Sequence, residues 1–106
     1  MKVKKTTEKY LFYQDGNDYI LNLGGIKKGE DTTTELLFEE VESSKNTKLS
    51  PKCGCTLVDK NIVSDSSFSA KIKYNGNDPT PFTKIIVVDE GKPSSFKIKI
   101  KGTSIK

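Results

Sequence analysis

The chain has 106 residues, a net charge of +4 and an apolar content of 33%. That length suits one domain, and about a quarter of the residues are Leu, Ile, Val or Phe, enough for a core that folds without a metal or disulfide staple. All 18 basic residues are lysines, Trp is absent and the four tyrosines are scattered. The chain therefore lacks the arginine fork that grips phosphates and guanine edges, and it lacks a basic and aromatic stacking platform. Nucleic acid is an unlikely partner.

In chain order, the basic start Met1-Lys2-Val3-Lys4-Lys5 is followed by no apolar run of signal-peptide length, and no stretch reaches the span of a membrane helix. A protein that stays in the cytoplasm and has no membrane partner is expected. Residues 1–17 read as an N-terminal arm or extra strand, and residues 18–106 as the domain proper. Tyr10 to Gln14 and Tyr19 to Leu21 flank Asp15-Gly16-Asn17-Asp18, a plausible hairpin turn because Gly and Asn tolerate positive φ. Strands are predicted over Asp18 to Leu23 and Thr32 to Val41, separated by turns at Gly24-Gly25 and Lys28-Gly29-Glu30-Asp31. Short strands follow at Thr47 to Leu49 and Thr56 to Val58.

The second half alternates more clearly. Phe68, Ala70, Ile72 and Tyr74 fall on one face of a strand, with Ser69, Lys71 and Lys73 on the other. Phe96, Ile98 and Ile100 repeat the pattern against Lys97, Lys99 and Lys101. Period two marks strands with one buried and one wet face. Phe82 to Val88 carries four consecutive β-branched residues, as a strand covered on both faces would. Turns are expected at Asn75 to Pro79 and Glu90 to Pro93. The expectation is an all-β protein, an immunoglobulin-like β-sandwich of seven to eight antiparallel strands.

Candidate sites are few. Cys53-Gly54-Cys55 could supply half of a zinc or Cu(I) site, or a thiol redox pair. With no His and no third Cys, the plainer reading is structural: thiols packed as small apolar groups around a glycine bend. The carboxylates Glu39, Glu40 and Glu42 read as a solvated face, and the Asp- and Asn-rich segments at 15–18 and 75–78 read as turns, since they lack the ligand spacing of a calcium loop. No nucleophile stands beside a plausible base, so no catalytic set and no cofactor is expected. The lysines Lys97, Lys99 and Lys101, with Lys71 and Lys73 as further candidates, make a basic sheet face. With Lys2, Lys4 and Lys5 of the basic start, they are the candidate partner-binding residues. The competing reading is that they keep the sheet soluble and unaggregated.

The run from Leu21 to Gly102 resembles a bacterial immunoglobulin-like family, domain of unknown function 1573, related to the ASH, MSP and hydin type of sandwich. The matching residues are Leu23-Gly24-Gly25-Ile26-Lys27-Lys28-Gly29-Glu30, Leu37-Phe38, the hallmark Cys53-Gly54-Cys55-Thr56, and the strands at Phe68 to Tyr74, Pro81 to Val88 and Ile98 to Gly102. The chain departs from the family at Glu42-Ser43-Ser44 and at Ser64-Asp65, where Asn-Thr-Gly-like and Pro-Gly turns are usual. The resemblance implies the fold and no activity. The expected function is structural: an auxiliary or decoration protein of a bacteriophage capsid, present in many copies, bound to other virion subunits and assembled in the host cytoplasm. A cytoplasmic protein-binding adaptor and a metal or thiol-redox protein using Cys53 and Cys55 are the alternatives.

Overall fold

The computed structural model describes residues 1–6, 9–27, 29–52, 56–75 and 81–105. Among the described residues, nine strands run in chain order: β1 (Lys2–Lys5), β2 (Leu11–Asp15), β3 (Asp18–Lys27), β4 (Asp31–Glu39), β5 (Leu49–Pro51), β6 (Thr56–Ser64), β7 (Ser67–Asn75), β8 (Phe82–Val88) and β9 (Phe96–Ile105). They form a β-sandwich of a four-stranded sheet, ordered β1-β4-β7-β6, and a five-stranded sheet, ordered β2-β3-β9-β8-β5. No helix of the described residues is long and apolar enough to cross a membrane.

The alternation predicted for β7 and β9 sets the core. Phe68, Ala70, Ile72 and Tyr74 are buried on the inner face of the four-stranded sheet, and Ile98 and Ile100 on that of the five-stranded sheet, with Phe96 half-buried at its rim. Leu36 and Phe38 of β4, Leu21 and Leu23 of β3, and Phe82, Ile86 and Val88 of β8 complete the layer. Ring pairs lock it: Phe38 stacks on Phe68 with centroids 4.6 Å apart, and Tyr74 on Phe82 at 4.4 Å.

Four features differ from the sequence expectation. Residues 1–17 contribute two strands and not one: β2 pairs with β3 through Tyr13↔Ile20, as the expected hairpin has it, and β1 pairs with β4 of the other sheet through Val3↔Phe38. Gly24-Gly25 is no turn. β3 runs through it to Lys27 with a register shift between Asn22 and Gly25, and Gly24 has φ 70°. A bulge of this kind needs a residue free to adopt positive φ, which glycine supplies. β6 continues well past Val58 and turns into β7 at Asp65-Ser66, where Ser64 and Ser67 bond hydroxyl to hydroxyl at 2.8 Å. Finally, β3 and β9 pair in parallel, whereas the other described pairings are antiparallel. Their relative direction escapes the antiparallel rule because no hairpin joins them.

Candidate functional site

The two sheets present opposite outer faces. On the four-stranded sheet several outward charges are paired, while Leu57, Ile62 and Val63 of β6 leave apolar side chains exposed. Lys4 reaches Glu39 at 2.7 Å, Lys2 reaches Glu40 at 3.9 Å, and Lys73 reaches Asp31 at 3.2 Å. The Lys4 ammonium is held above the ordinary lysine value by its hydrogen bond to Glu39, then by the charges of Glu39 and Glu40, with desolvation opposing. Pairs this exposed contribute little to stability.

The outer face of the five-stranded sheet mixes apolar side chains with a basic ridge and a few polar groups. Register places Tyr13, Ile20, Lys99 and Ile85 side by side in one row across β2, β3, β9 and β8. Leu11, Asn22, Lys101 and Thr83 form the next row, and Asp18, Lys97 and Val87 the one on the other side. Leu11 is 58% exposed and Tyr13 44%, whereas Ile20 and Val87 are buried although neither belongs to the central core. Ile20 sits between Tyr13 and Lys99, and Val87 between Ser50 and Lys97. Long lysine stems cover apolar neighbours while their ammonium groups stay in water. Asp18 organises one end: its carboxylate accepts the Lys97 backbone N–H at 2.9 Å and lies 3.9 Å from the Lys99 ammonium.

The candidate lysines therefore do not form one surface. Lys97, Lys99 and Lys101 share the outer face of the five-stranded sheet, as their alternation implies. Lys71 and Lys73 lie on the other sheet, so the joined basic face expected from the sequence is divided across the sandwich. Lys2 and Lys4 point outward from the four-stranded sheet, while Lys5, opposite the buried Leu36, turns inward and donates to the Tyr10 carbonyl at 3.2 Å. The division has a simple cause: alternation assigns a side to each residue within one strand, and only sheet membership says which outside that side faces.

Lys60 is a further lysine with a particular place. It stands opposite the buried Ala70, so its side chain points inward. Its ammonium donates to the Thr47 carbonyl at 2.6 Å and lies 4.6 Å from the Phe68 ring centroid. Desolvation lowers its pKa below the ordinary lysine value, partly offset by Asp89. Its contacts tie β6 to the loop that carries the chain from one sheet to the other.

Two cavities flank Tyr19. One, of about 360 Å³, opens at the end of the sandwich between Asn17, Tyr19, Asp89, Ser94 and Phe96. The other, of about 350 Å³, is a groove between β1 and β2, the edges of the two sheets on one side of the molecule. Among the described residues no three of His, Cys, Asp and Glu gather to hold a metal ion. Cys53 and Cys55, on which the metal and thiol readings rest, lie outside the described residues.

The exposed pair Leu11 and Tyr13 was not among the sequence candidates. The signal was present in Tyr10-Leu11-Phe12-Tyr13-Gln14: with period two, a run this apolar in a strand must send some of its apolar side chains outward.

No protein-family model matches the chain, and no curated protein matches it. Among solved structures, an S-layer protein, SbsC domains 4 and 5, aligns with 97% of this chain and 48% of that one, at 11% identity and a TM-score of 0.41. The chain thus spans about half the length of that solved chain.

Proposed function

We propose that the protein is a non-catalytic structural module that docks on other protein subunits of a larger assembly through the outer face of its five-stranded sheet. The neighbourhood of apolar anchors and like charges on this face carries the reading: exposed Leu11 and Tyr13 stand beside the row of Lys97, Lys99 and Lys101. Aromatic and aliphatic anchors beside like charges suit an acidic protein surface, where the apolar groups supply affinity and the charges supply steering and register. Such a surface uses no cofactor.

The assembly the sequence reading favours is a bacteriophage particle, with this chain as a capsid decoration or head-associated subunit in many copies. Kinship with the Cys-Gly-Cys-Thr immunoglobulin-like family is part of the same proposal and rests on the motif residues and the sandwich fold. Mass spectrometry of purified particles tests the assembly directly. The chain is expected among their components, and a Lys97→Glu, Lys99→Glu, Lys101→Glu variant that still folds is expected to be missing from them. Particles without the wild-type chain overturn the virion reading. Particles that retain the triple variant overturn the assignment of the face.

A further inference from the structure

β6 is the longest of the four edge strands, with nine residues against four in β1, five in β2 and three in β5. An edge of this length exposes a row of unpaired backbone groups that can pair with a further strand. It is also apolar at the surface. Leu57, Ile62 and Val63 are 62%, 53% and 63% exposed, more large apolar side chains than any other described strand leaves in water. The residue at the midpoint of the strand is Lys60.

Two copies of one edge strand pair antiparallel about a two-fold axis, and the contact is then self-complementary or not according to the residue on the axis. Alternation puts the axis on a residue, because side chains opposite one another share a side. Centred on Lys60, Val58 stands opposite Ile62 and Leu57 opposite Val63, apolar against apolar, with Asp59 opposite Asn61. Centred on Asp59, Val58 meets Lys60 and Leu57 meets Asn61. Centred on Asn61, Ile62 meets Lys60 and Val63 meets Asp59. Of these three, only the Lys60 register matches the apolar groups of one copy to those of the other. The register shift between Ile62 and Ser64 lies at the end of the strand and leaves the Val58 and Ile62 match intact.

That same register brings the two Lys60 residues together at the axis. Each points inward, donates to its own Thr47 carbonyl at 2.6 Å and lies 4.6 Å from its own Phe68 ring centroid. A second β6 alongside would take the remaining water from two like charges and give them no new partner. Asp59 stands opposite Lys71 on the outward side of the sheet, and Asp89 acts on Lys60 within the same copy already. Burying a charge without a new partner is costly, and like charges directly opposite in a sheet repel.

We propose that β6 is a self-complementary edge held open by Lys60: the charge at its midpoint keeps the strand from pairing with β6 of a second copy, and loss of that charge lets two copies join as a two-fold dimer with one continuous sheet. The inference is independent of the docking face, which lies on the other sheet.

Sedimentation velocity over a concentration series tests it on the intact protein. Wild type and Lys60→Arg, which keeps the charge, are expected to remain monomers. Lys60→Met is expected to dimerise at least about a hundredfold more tightly than wild type, about 2.8 kcal/mol, because each dimer is relieved of two charges. Lys60→Gln keeps a donor for the Thr47 carbonyl and is expected to dimerise as well, which covers a Met variant that fails to fold. When dilute, the state in which unfolding is compared, the variants are expected to be monomers. The β6 amides are expected to gain protection from hydrogen exchange in the dimer. Adding Ile62→Lys to Lys60→Met sets a charge against Val58 at an exposed position and is expected to restore the monomer. Folded Met and Gln variants that both stay monomeric overturn the proposal. So does a Lys60→Arg protein that dimerises as readily as they do, a dimer that survives Ile62→Lys, or a wild-type dimer with its β6 amides protected.

Discussion

Two single positions show how tightly the sandwich is specified. A Cβ on Gly102 would lie 2.6 Å from the Phe82 ring and 3.1 Å from the Gly24 carbonyl oxygen. The ring cannot move away easily, because it is buried and stacked on Tyr74. Gly102→Ala is expected to destabilise the fold by about 1–3 kcal/mol, the usual cost of forcing extra volume into a packed core. Urea unfolding measures this as a lower midpoint at unchanged slope. Ser44 presents the opposite situation: its backbone N–H bonds the Asp65 carbonyl, yet its buried hydroxyl finds no partner. An unsatisfied buried hydroxyl costs free energy that an alanine avoids. Ser44→Ala is expected to be neutral or to stabilise by up to about 1 kcal/mol, and a loss of stability in the same assay would contradict the account.

At the scale of elements, the chief question is what holds the edge strands. β6 is anchored by Lys60, which spans to the Thr47 carbonyl and rests on Phe68. Burial lowers the pKa of Lys60, so over a range below 10.5 the folded protein holds fewer protons than the unfolded chain. Stability then rises with pH through that window. The Lys4 contribution has the opposite sign and a different place. Its raised pKa makes that contribution complete below 10.5 and lost as pH climbs through the higher folded value. Comparing wild type with Lys60→Met by denaturation across the alkaline range isolates the first effect: the wild-type curve should gain stability relative to the variant as pH approaches 10.5. β1 is anchored differently, by the burial of Val3 opposite Phe38. Val3→Asp places an unpaired carboxylate there and is expected to detach the strand at a cost of about 2 kcal/mol, comparable to the burial of one valine side chain. The measured signature is faster hydrogen exchange in β1 and at the facing edge of β4, with β7 and β9 unchanged.

At the scale of the molecule, the docking face proposed above makes a prediction about salt. Charge on the docking face acts over distance and is screened by salt, with a Debye length near 8 Å at physiological ionic strength. Association through Lys97, Lys99 and Lys101 should therefore slow as salt is raised, chiefly in its on-rate. The melting temperature of the isolated protein should barely change, because few of its ion pairs are buried. Stopped-flow association at several salt concentrations separates the two. A salt-independent on-rate would remove the lysines from recognition and leave Leu11 and Tyr13 as the anchors.

Much of this was legible in the amino-acid order alone. The all-β class and the inward residues of β7 and β9 follow from period-two alternation, which is a local property of each strand. The outward direction of Lys97, Lys99 and Lys101 follows from it too. Other features needed the assembled sheets. Alternation cannot tell which sheet a strand joins, and for that reason Lys71 and Lys73 fell on the far side from Lys97 and Lys99. It cannot say that Gly24-Gly25 bulges within a strand instead of ending it, because glycine's conformational freedom serves both uses. The parallel pairing of β3 with β9, the open β2 edge and the cleft beneath it arise between residues far apart in the chain. The sequence by itself determined which residues of β7 and β9 turn inward, because the alternation of sides is a local property of a strand. Only the tertiary structure decided which faces and edges are left for a partner, because that depends on which strands meet.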